Sequence, residues 1–374
     1  MNLIRNSQII ALIMLLTALL LSGPVRADWN SPTAVDQYLS DCSPNDFVCE
    51  LLETYTNDKK YSEVCWLTTH NAFATPKQGW NYSQQNLDFE EQYTLGVRSF
   101  MIDLYLYNPG DSIDENGEAT QGKSYIAMCH EPHFLDGRNC LTTNMFLKNG
   151  APDALLDFLL QVKEWLNEDP DTIITLIIES RFGEDGAAGA LYETFKQADL
   201  VRHLYVPQVD PKEIQDWPTL GDLRNVDRRL IVFSDNINDE FIHTSTYRET
   251  RFDLGKYPKC EMREDGRDTE KMMPLFALNH FYGISVRLNG FWKDYEKINA
   301  YQNIIERVNL CETEHNMLPN FLVMDFVEEG EMGGALQAVI EINLKSKDRF
   351  QHDTMHFPLN QEDLLLALSN TDIL

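Results

Sequence analysis

Beyond its first 27 residues the sequence has no apolar run long enough to cross a bilayer, which takes about 20 residues. It is poor in basic residues, with 31 Lys and Arg against 59 Asp and Glu and a formal net charge of −28. Such a balance excludes a nucleic-acid binder that works through phosphate contacts, and loose electrostatic adhesion to an anionic membrane. It leaves open a cationic pocket inside an acidic shell. No Cys/His spacing matches a zinc site. There is no short internal repeat and no low-complexity linker, so a solenoid or a string of tethered modules is also excluded.

What is present begins with a targeting segment. Arg5 precedes an apolar stretch from Ile9 to Leu21, and Val25-Arg26-Ala27 supplies a small-residue cleavage site. This pattern predicts a signal peptide cut after Ala27, with an uncleaved anchor as the other reading. It places the mature chain outside the cytoplasm, secreted or periplasmic. Export favours disulfides among the seven cysteines. Cys42–Cys49 and Cys129–Cys140 are near neighbours flanked by turn residues, and Cys260–Cys311 is then the third pair by elimination. Cys65, in an apolar run, is the expected free thiol. Spacing alone does not fix this connectivity.

Short apolar runs alternate with helical patterns. The predicted strands are Glu63–His70, Gly96–Tyr105, Ser124–His130, Thr172–Glu179, Arg229–Asp235, Leu275–Phe281 and Asn320–Phe326. A helix is expected near Phe47 to Thr54. Another follows Pro152, a good first helical residue, with Leu155, Phe158, Leu159, Val162, Trp165 and Leu166 forming its apolar stripe. Further helices are expected at Tyr295–Leu310 and Glu331–Leu344, and Asn108–Gly122 reads as a surface loop. Strands alternating with helices imply a mainly parallel sheet. The expected fold is α/β, a single-domain, irregular TIM-type (β/α)8 barrel with one strand unaccounted for. The expected divisions are a signal peptide at 1–27, an N-terminal extension at 28–62, the barrel at 63–345 and a tail at 346–374.

Four of these runs carry polar groups at or near their ends: His70-Asn71, Asp103, His130 and Glu179. Catalytic groups of such a barrel collect at the C-terminal ends of its strands. A carboxylate embedded in an apolar run needs a partner. Two histidines with carboxylates suit either a general base and general acid or a set of metal ligands. A histidine bonded to a backbone carbonyl is the structural alternative at each position.

Taken in order, several pieces resemble the X domain of phosphatidylinositol-specific phospholipases C. They are Thr69-His70-Asn71-Ala72-Phe73-Ala74, Gly96-Val97-Arg98 leading to Asp103, Cys129-His130, Thr175–Glu179, Trp217-Pro218-Thr219-Leu220-Gly221 followed by Arg229–Asp235, and Asn320–Phe326. The resemblance spans Glu63 to Gly334. It implies an irregular TIM barrel that cleaves the glycerol–phosphate bond of a phosphoinositide. It makes His70 the general base and His130 the general acid. Asp325, in the last expected strand, is a candidate to orient a catalytic imidazole, with core packing as the alternative. Tyr105, Arg181 and Trp292 are candidates to line a headgroup pocket. Calcium-dependent members imply Asn71, Asp103 and Glu179 as ligands of a calcium ion.

Two departures qualify this. Metal-independent members carry an arginine where this chain has Tyr105, and calcium-dependent ones carry an acid where it has Met101. Arg98 or Arg181 is the expected alternative source of positive charge. His133 is a competitor of His130 for the acid role, and His280 reads as core. The expected partner is a phospholipid or other phosphodiester at a membrane surface, with no nucleic acid, and the chain is expected to be a monomer. A degenerate lipid- or phosphate-binding barrel is the rival reading, as is a phosphodiesterase for another headgroup. The His-Arg-Gly opening of glycerophosphodiesterases is absent.

Overall fold

The computed structural model describes residues 47–81, 83–107, 111–113, 119–121, 124–129, 151–180, 184–206, 217–234, 242–244, 247–251, 260–262, 275–282 and 294–355. All of them belong to the unit Asn45–Leu374; the unit Met1–Pro44, with the expected signal peptide and Cys42, lies outside the described residues. His130, His133, Cys140, Arg181 and Trp292 also lie outside them.

The strands are β1 (Trp66–Thr69), β2 (Ser99–Tyr107), β3 (Asp111–Ile113), β4 (Ala119–Gln121), β5 (Tyr125–Met128), β6 (Ile174–Ser180), β7 (Leu230–Ser234), β8 (Ile242–Thr244), β9 (Tyr247–Glu249), β10 (Leu275–His280) and β11 (Phe321–Met324). The helices are α1 (Phe47–Glu53), α2 (Phe89–Thr94), α3 (Leu155–Glu168), α4 (Glu184–Gln197), α5 (Leu220–Asn225), α6 (Tyr295–Ile298), α7 (Tyr301–His315) and α8 (Gly334–Met355).

Eight strands run parallel in the order β8-β7-β6-β2-β1-β11-β10-β9. The first strand pairs with the last, Trp66 opposite Phe321 through Thr69 opposite Met324, which is the closure a TIM-type barrel requires. Phe233 of β7 touches Phe321 of β11, ring centroids 5.6 Å apart, although three strands separate them in the sheet. Only a curled sheet allows that contact. Among the described residues, β8 and β9 are not paired, so the barrel is open there.

Alternation along the strands sorts the side chains. Trp66, Phe233 and Phe321 face inward. Beneath them Tyr61 stacks on Trp217 at 4.7 Å and bonds Thr175 Oγ1 through its hydroxyl at 2.7 Å, filling the N-terminal end of the barrel. Phe100 faces outward onto Phe158 and Trp165 of α3. The six apolar residues expected on α3 are its buried set. The helix starts at Leu155, not at Pro152, whose carbonyl instead accepts the Tyr125 hydroxyl.

Three other expectations change. The run at 124–130 is not a parallel barrel strand, because β5 pairs antiparallel with β2, Leu104 opposite Met128. The Gly- and Asp-rich stretch before it contains the antiparallel pair β3–β4, and a reversing connection of this kind returns the chain alongside the strand it left. The strands absent from the sequence reading are β8 and β9, each three residues long, too short to display alternation. The last helix, expected at Glu331–Leu344, runs from Gly334 to Met355.

Among the described residues no helix is long and apolar enough to cross a membrane. Cys260 and Cys311 are joined, Cys49 and Cys129 are each disulfide-bonded, and Cys65 is free and buried in β1's approach. Burial pushes the Cys65 thiol far above the ordinary range, so it is unreactive in the folded chain. A thiol reagent should therefore leave Cys65 unlabelled in native protein and label it after unfolding in denaturant without reductant. Labelling of Cys49 or Cys129 in unreduced material would contradict this.

Candidate active site

β1 and β11 end side by side, and each releases its chain through the same device. His70 follows β1, and its backbone N–H bonds the Met324 carbonyl at 2.9 Å, so the ladder continues one residue past the strand. Asn71 then turns left-handed with φ 44°. Asp325 follows β11, and Phe326 turns left-handed with φ 49°. Asparagine tolerates that conformation; phenylalanine does not, and such outliers persist where their surroundings over-determine them. Here Asn299 Nδ2 donates to the carbonyls of Asp325 and Phe326 at 2.8 and 3.0 Å, while the Phe326 N–H bonds the Gln84 carbonyl. Gln85 ties the two strand ends together, its Nε2 donating to the carbonyls of His70 and Met324, both at 2.9 Å.

The result is a histidine and an aspartate aimed at each other from adjacent strands. His70 Nδ1 lies 2.8 Å from Asp325 Oδ1; the carboxylate is fully buried and the imidazole 18% exposed. Facing a carboxylate, Nδ1 carries the proton, which leaves the lone pair on Nε2. The Asn71 amide donates to that nitrogen at 3.2 Å. The Tyr295 hydroxyl of α6 donates to Asp325 Oδ2 at 3.3 Å. Phe281, just after β10, lies flat against the His70 ring at 3.9 Å between centroids.

Asp103 and Glu179 form the second group. They are direct register partners on β2 and β6, Asp103 buried and Glu179 half-buried. Alternation from the outward-facing Phe100 puts Asp103 on the interior face with Met101 and Tyr105, both buried. The Asp103 carbonyl accepts the Cys129 N–H at 3.0 Å, so the residue before His130 is anchored beside it.

Arg98 does not reach this end of the barrel. It precedes β2, is buried, donates Nη1 to the carbonyls of Tyr93 and Val97, and lies over the Tyr93 ring at 3.9 Å. His280 faces the helices, its Nε2–H donating to the Ile298 carbonyl at 3.0 Å; burial and the nearby Arg307 hold it neutral, down to about 3. Sequence reasoning missed Gln85, Tyr295 and Phe281. Gln85 lies in a connecting segment, and Phe281 and Tyr295 stand at the ends of expected elements, so only the fold reveals what each touches.

The geometry defines a barrel with a histidine–aspartate pair at its C-terminal mouth. The family model described as PI-PLC X 1 matches residues 117–343, more than half of the chain, and the protein belongs to that PI-PLC X family. The matched residues include His130, Glu179 and Asp325; β1 and β2, with His70, Asn71 and Asp103, precede them. The chain is 24% identical over 306 residues to PI-PLC X domain-containing protein 1 of Arthroderma benhamiae, covering 77% of this chain and 87% of that protein. It is 25% identical over 303 residues to a PI-PLC X domain-containing protein of Arabidopsis thaliana, covering 77% of this chain and 63% of the relative. Among solved structures, the phosphatidylinositol-specific phospholipase C of Listeria monocytogenes aligns over 79% of this chain and 97% of its own, at 13% identity and a TM-score of 0.45.

Proposed function

We propose that the protein is a phospholipase C-type phosphodiesterase acting on phosphatidylinositol-type lipids at a membrane surface. The His70–Asp325 pair carries the reading: a buried carboxylate fixes one tautomer and leaves an Nε2 lone pair on a partly exposed ring. In this reaction His70 Nε2 takes the proton of the inositol 2-hydroxyl. The oxygen attacks phosphorus, and the bond from phosphorus to the glycerol oxygen breaks. His130 gives that oxygen its proton, releasing diacylglycerol and a cyclic inositol phosphate that water can open by the reverse proton transfers. Asp325 stabilises the imidazolium formed on His70. Tyr105, inward on β2, and Arg181 are the proposed headgroup contacts. The paired cysteines and the pattern of residues 1–27 support an exported enzyme, and a monomer suffices for this chemistry.

Asp103 and Glu179 are hard oxygen donors brought side by side, and Asn71 follows His70 at the same mouth. Such a set fits calcium better than zinc. Calcium takes six to eight oxygens, so these three residues would leave the rest to phosphate and water, and Met101 supplies none. Bound there, the ion would offset charge on the phosphate, the task for which Arg98 is too far away and Tyr105 carries no charge.

On a panel of phospholipids, His70→Ala and His130→Ala should each lower turnover of phosphatidylinositol by at least about a hundredfold. Asp325→Asn should also be strongly impaired, because it removes the negative charge and offers an amide that can donate to Nδ1, so the tautomer is no longer fixed. Near-wild-type turnover in His70→Ala would refute the assignment, and no turnover of any phospholipid by wild type would favour a binding barrel.

Exhaustive chelation should abolish activity, and calcium should restore it with a midpoint of roughly 0.1–1 mM, the scale of extracellular sites. Asp103→Asn should shift that midpoint upward. Full activity without any divalent ion would remove calcium and return the charge-balancing role to Arg181.

A further inference from the structure

We infer that Gln85 is a positioning residue for the His70–Asp325 pair, its side chain standing in for the rung of the strand ladder that the site gives up. This role rests on His70 being the base, and goes beyond that reading to what holds the base in line. Between parallel strands the bonds are evenly spaced, and alternate residues of one strand bond its neighbour through both N–H and carbonyl. The Trp66 N–H bonds the Asn320 carbonyl at 2.7 Å, and further along the same series the His70 N–H bonds the Met324 carbonyl at 2.9 Å. The next rung of that series would join the His70 carbonyl to the Phe326 N–H. Phe326 has instead turned left-handed, and its N–H bonds the Gln84 carbonyl at 2.8 Å.

Gln85 takes that place. Its Nε2 donates to the His70 carbonyl and to the Met324 carbonyl, each at 2.9 Å, so one amide clasps both strands where their pairing ends. Its Oε1 accepts the Val327 N–H at 3.3 Å. The three bonds grip His70 by its own backbone and bracket Asp325 from both sides along the chain. The side chain is fully buried, so no water competes for them. Its backbone is fixed as well. The N–H groups of Gln84 and Gln85 both bond the Ala74 carbonyl, at 2.9 and 3.2 Å, and the Ala74 N–H bonds the Asn71 carbonyl at 2.8 Å. The chain leaving β1 thus folds back to carry the amide to the two strand ends. The bond it protects, from His70 Nδ1 to Asp325 Oδ1, is 2.8 Å long, and its two side chains stand on strand ends that no further rung joins. A misplacement of about 1 Å would break that bond, and errors of this size cost an enzyme up to about a hundredfold in rate.

The test uses two variants of the whole protein. Gln85→Met keeps the length of the side chain and removes all three bonds. Gln85→Glu keeps the shape and the acceptor for the Val327 N–H, but turns a second oxygen toward the two carbonyls. Thermal melts identify which variants fold, and either one suffices. Selective ¹⁵N labelling of histidine reads the pair without relying on turnover. The proton held between His70 Nδ1 and Asp325 should give a resolved signal in wild type, assigned by its loss in His70→Ala, and that signal should broaden or vanish in both Gln85 variants. Turnover of phosphatidylinositol should fall roughly tenfold to a hundredfold, in kcat, with KM within about twofold of wild type. In an Asp325→Asn background, Gln85→Met should cost less than about threefold more, because the pair it aims is already lost. An unchanged His70 signal in a folded Gln85 variant overturns the inference whatever kcat does. So does a loss that multiplies in full in the Asp325→Asn background, since Gln85 would then act on something other than the pair. Undiminished turnover in His70→Ala would instead overturn the base assignment, while a signal lost in Gln85→Met would still show that Gln85 aims the ring.

Discussion

The bond between His70 Nδ1 and Asp325 Oδ1 is the constraint on which the rest of the mouth depends. The carboxylate is wholly enclosed, and an enclosed carboxylate without partners costs several kcal/mol. It is provided with them by His70 from β1 and the Tyr295 hydroxyl from α6, while the Asn299 amide holds the backbone carbonyl of the same residue. These partners come from the first barrel strand and from the connection before the last one. The histidine–aspartate pair can therefore exist only once β1 and β11 have paired. Folding and the site are completed by the same pairing.

Two left-handed residues show how the fold aims these groups. Asn71 and Phe326 each follow the residue that matters and turn the chain away at once, so His70 and Asp325 stay on the interior face of their strands. A phenylalanine in that conformation is unfavourable by about 1–3 kcal/mol. Gln84, Gln85 and Asn299 supply the bonds that hold it. Loop amides thus do what a strand ladder cannot, because the ladder ends one residue too early.

Much of this was legible beforehand. Six apolar runs became parallel barrel strands, and the stripe of Leu155, Phe158, Leu159, Val162, Trp165 and Leu166 is the buried face of α3, because burial on one side imposes a period that sequence displays. Cys260–Cys311 was the pair left by elimination and is bonded, and Cys65 is the free thiol. Asp325 could be named from its place in the last strand, but its contact with His70 spans 255 positions and has no local signature. The direction of β5 was hidden for a different reason. An apolar run specifies burial, not polarity, and the return through β3–β4 made it antiparallel. Phe281, Tyr295 and Gln85 were invisible because their roles are defined by what approaches them.

If His70 is the base, the inositol hydroxyl itself is the nucleophile that it activates. The most direct measurement is a ³¹P NMR time course of phosphatidylinositol in mixed micelles with the whole protein and millimolar calcium. Appearance of a cyclic inositol phosphate before any open-chain inositol phosphate, and its absence with His70→Ala, is the predicted result. Open-chain phosphate formed first, or a cyclic product that persists at full rate in His70→Ala, would contradict it.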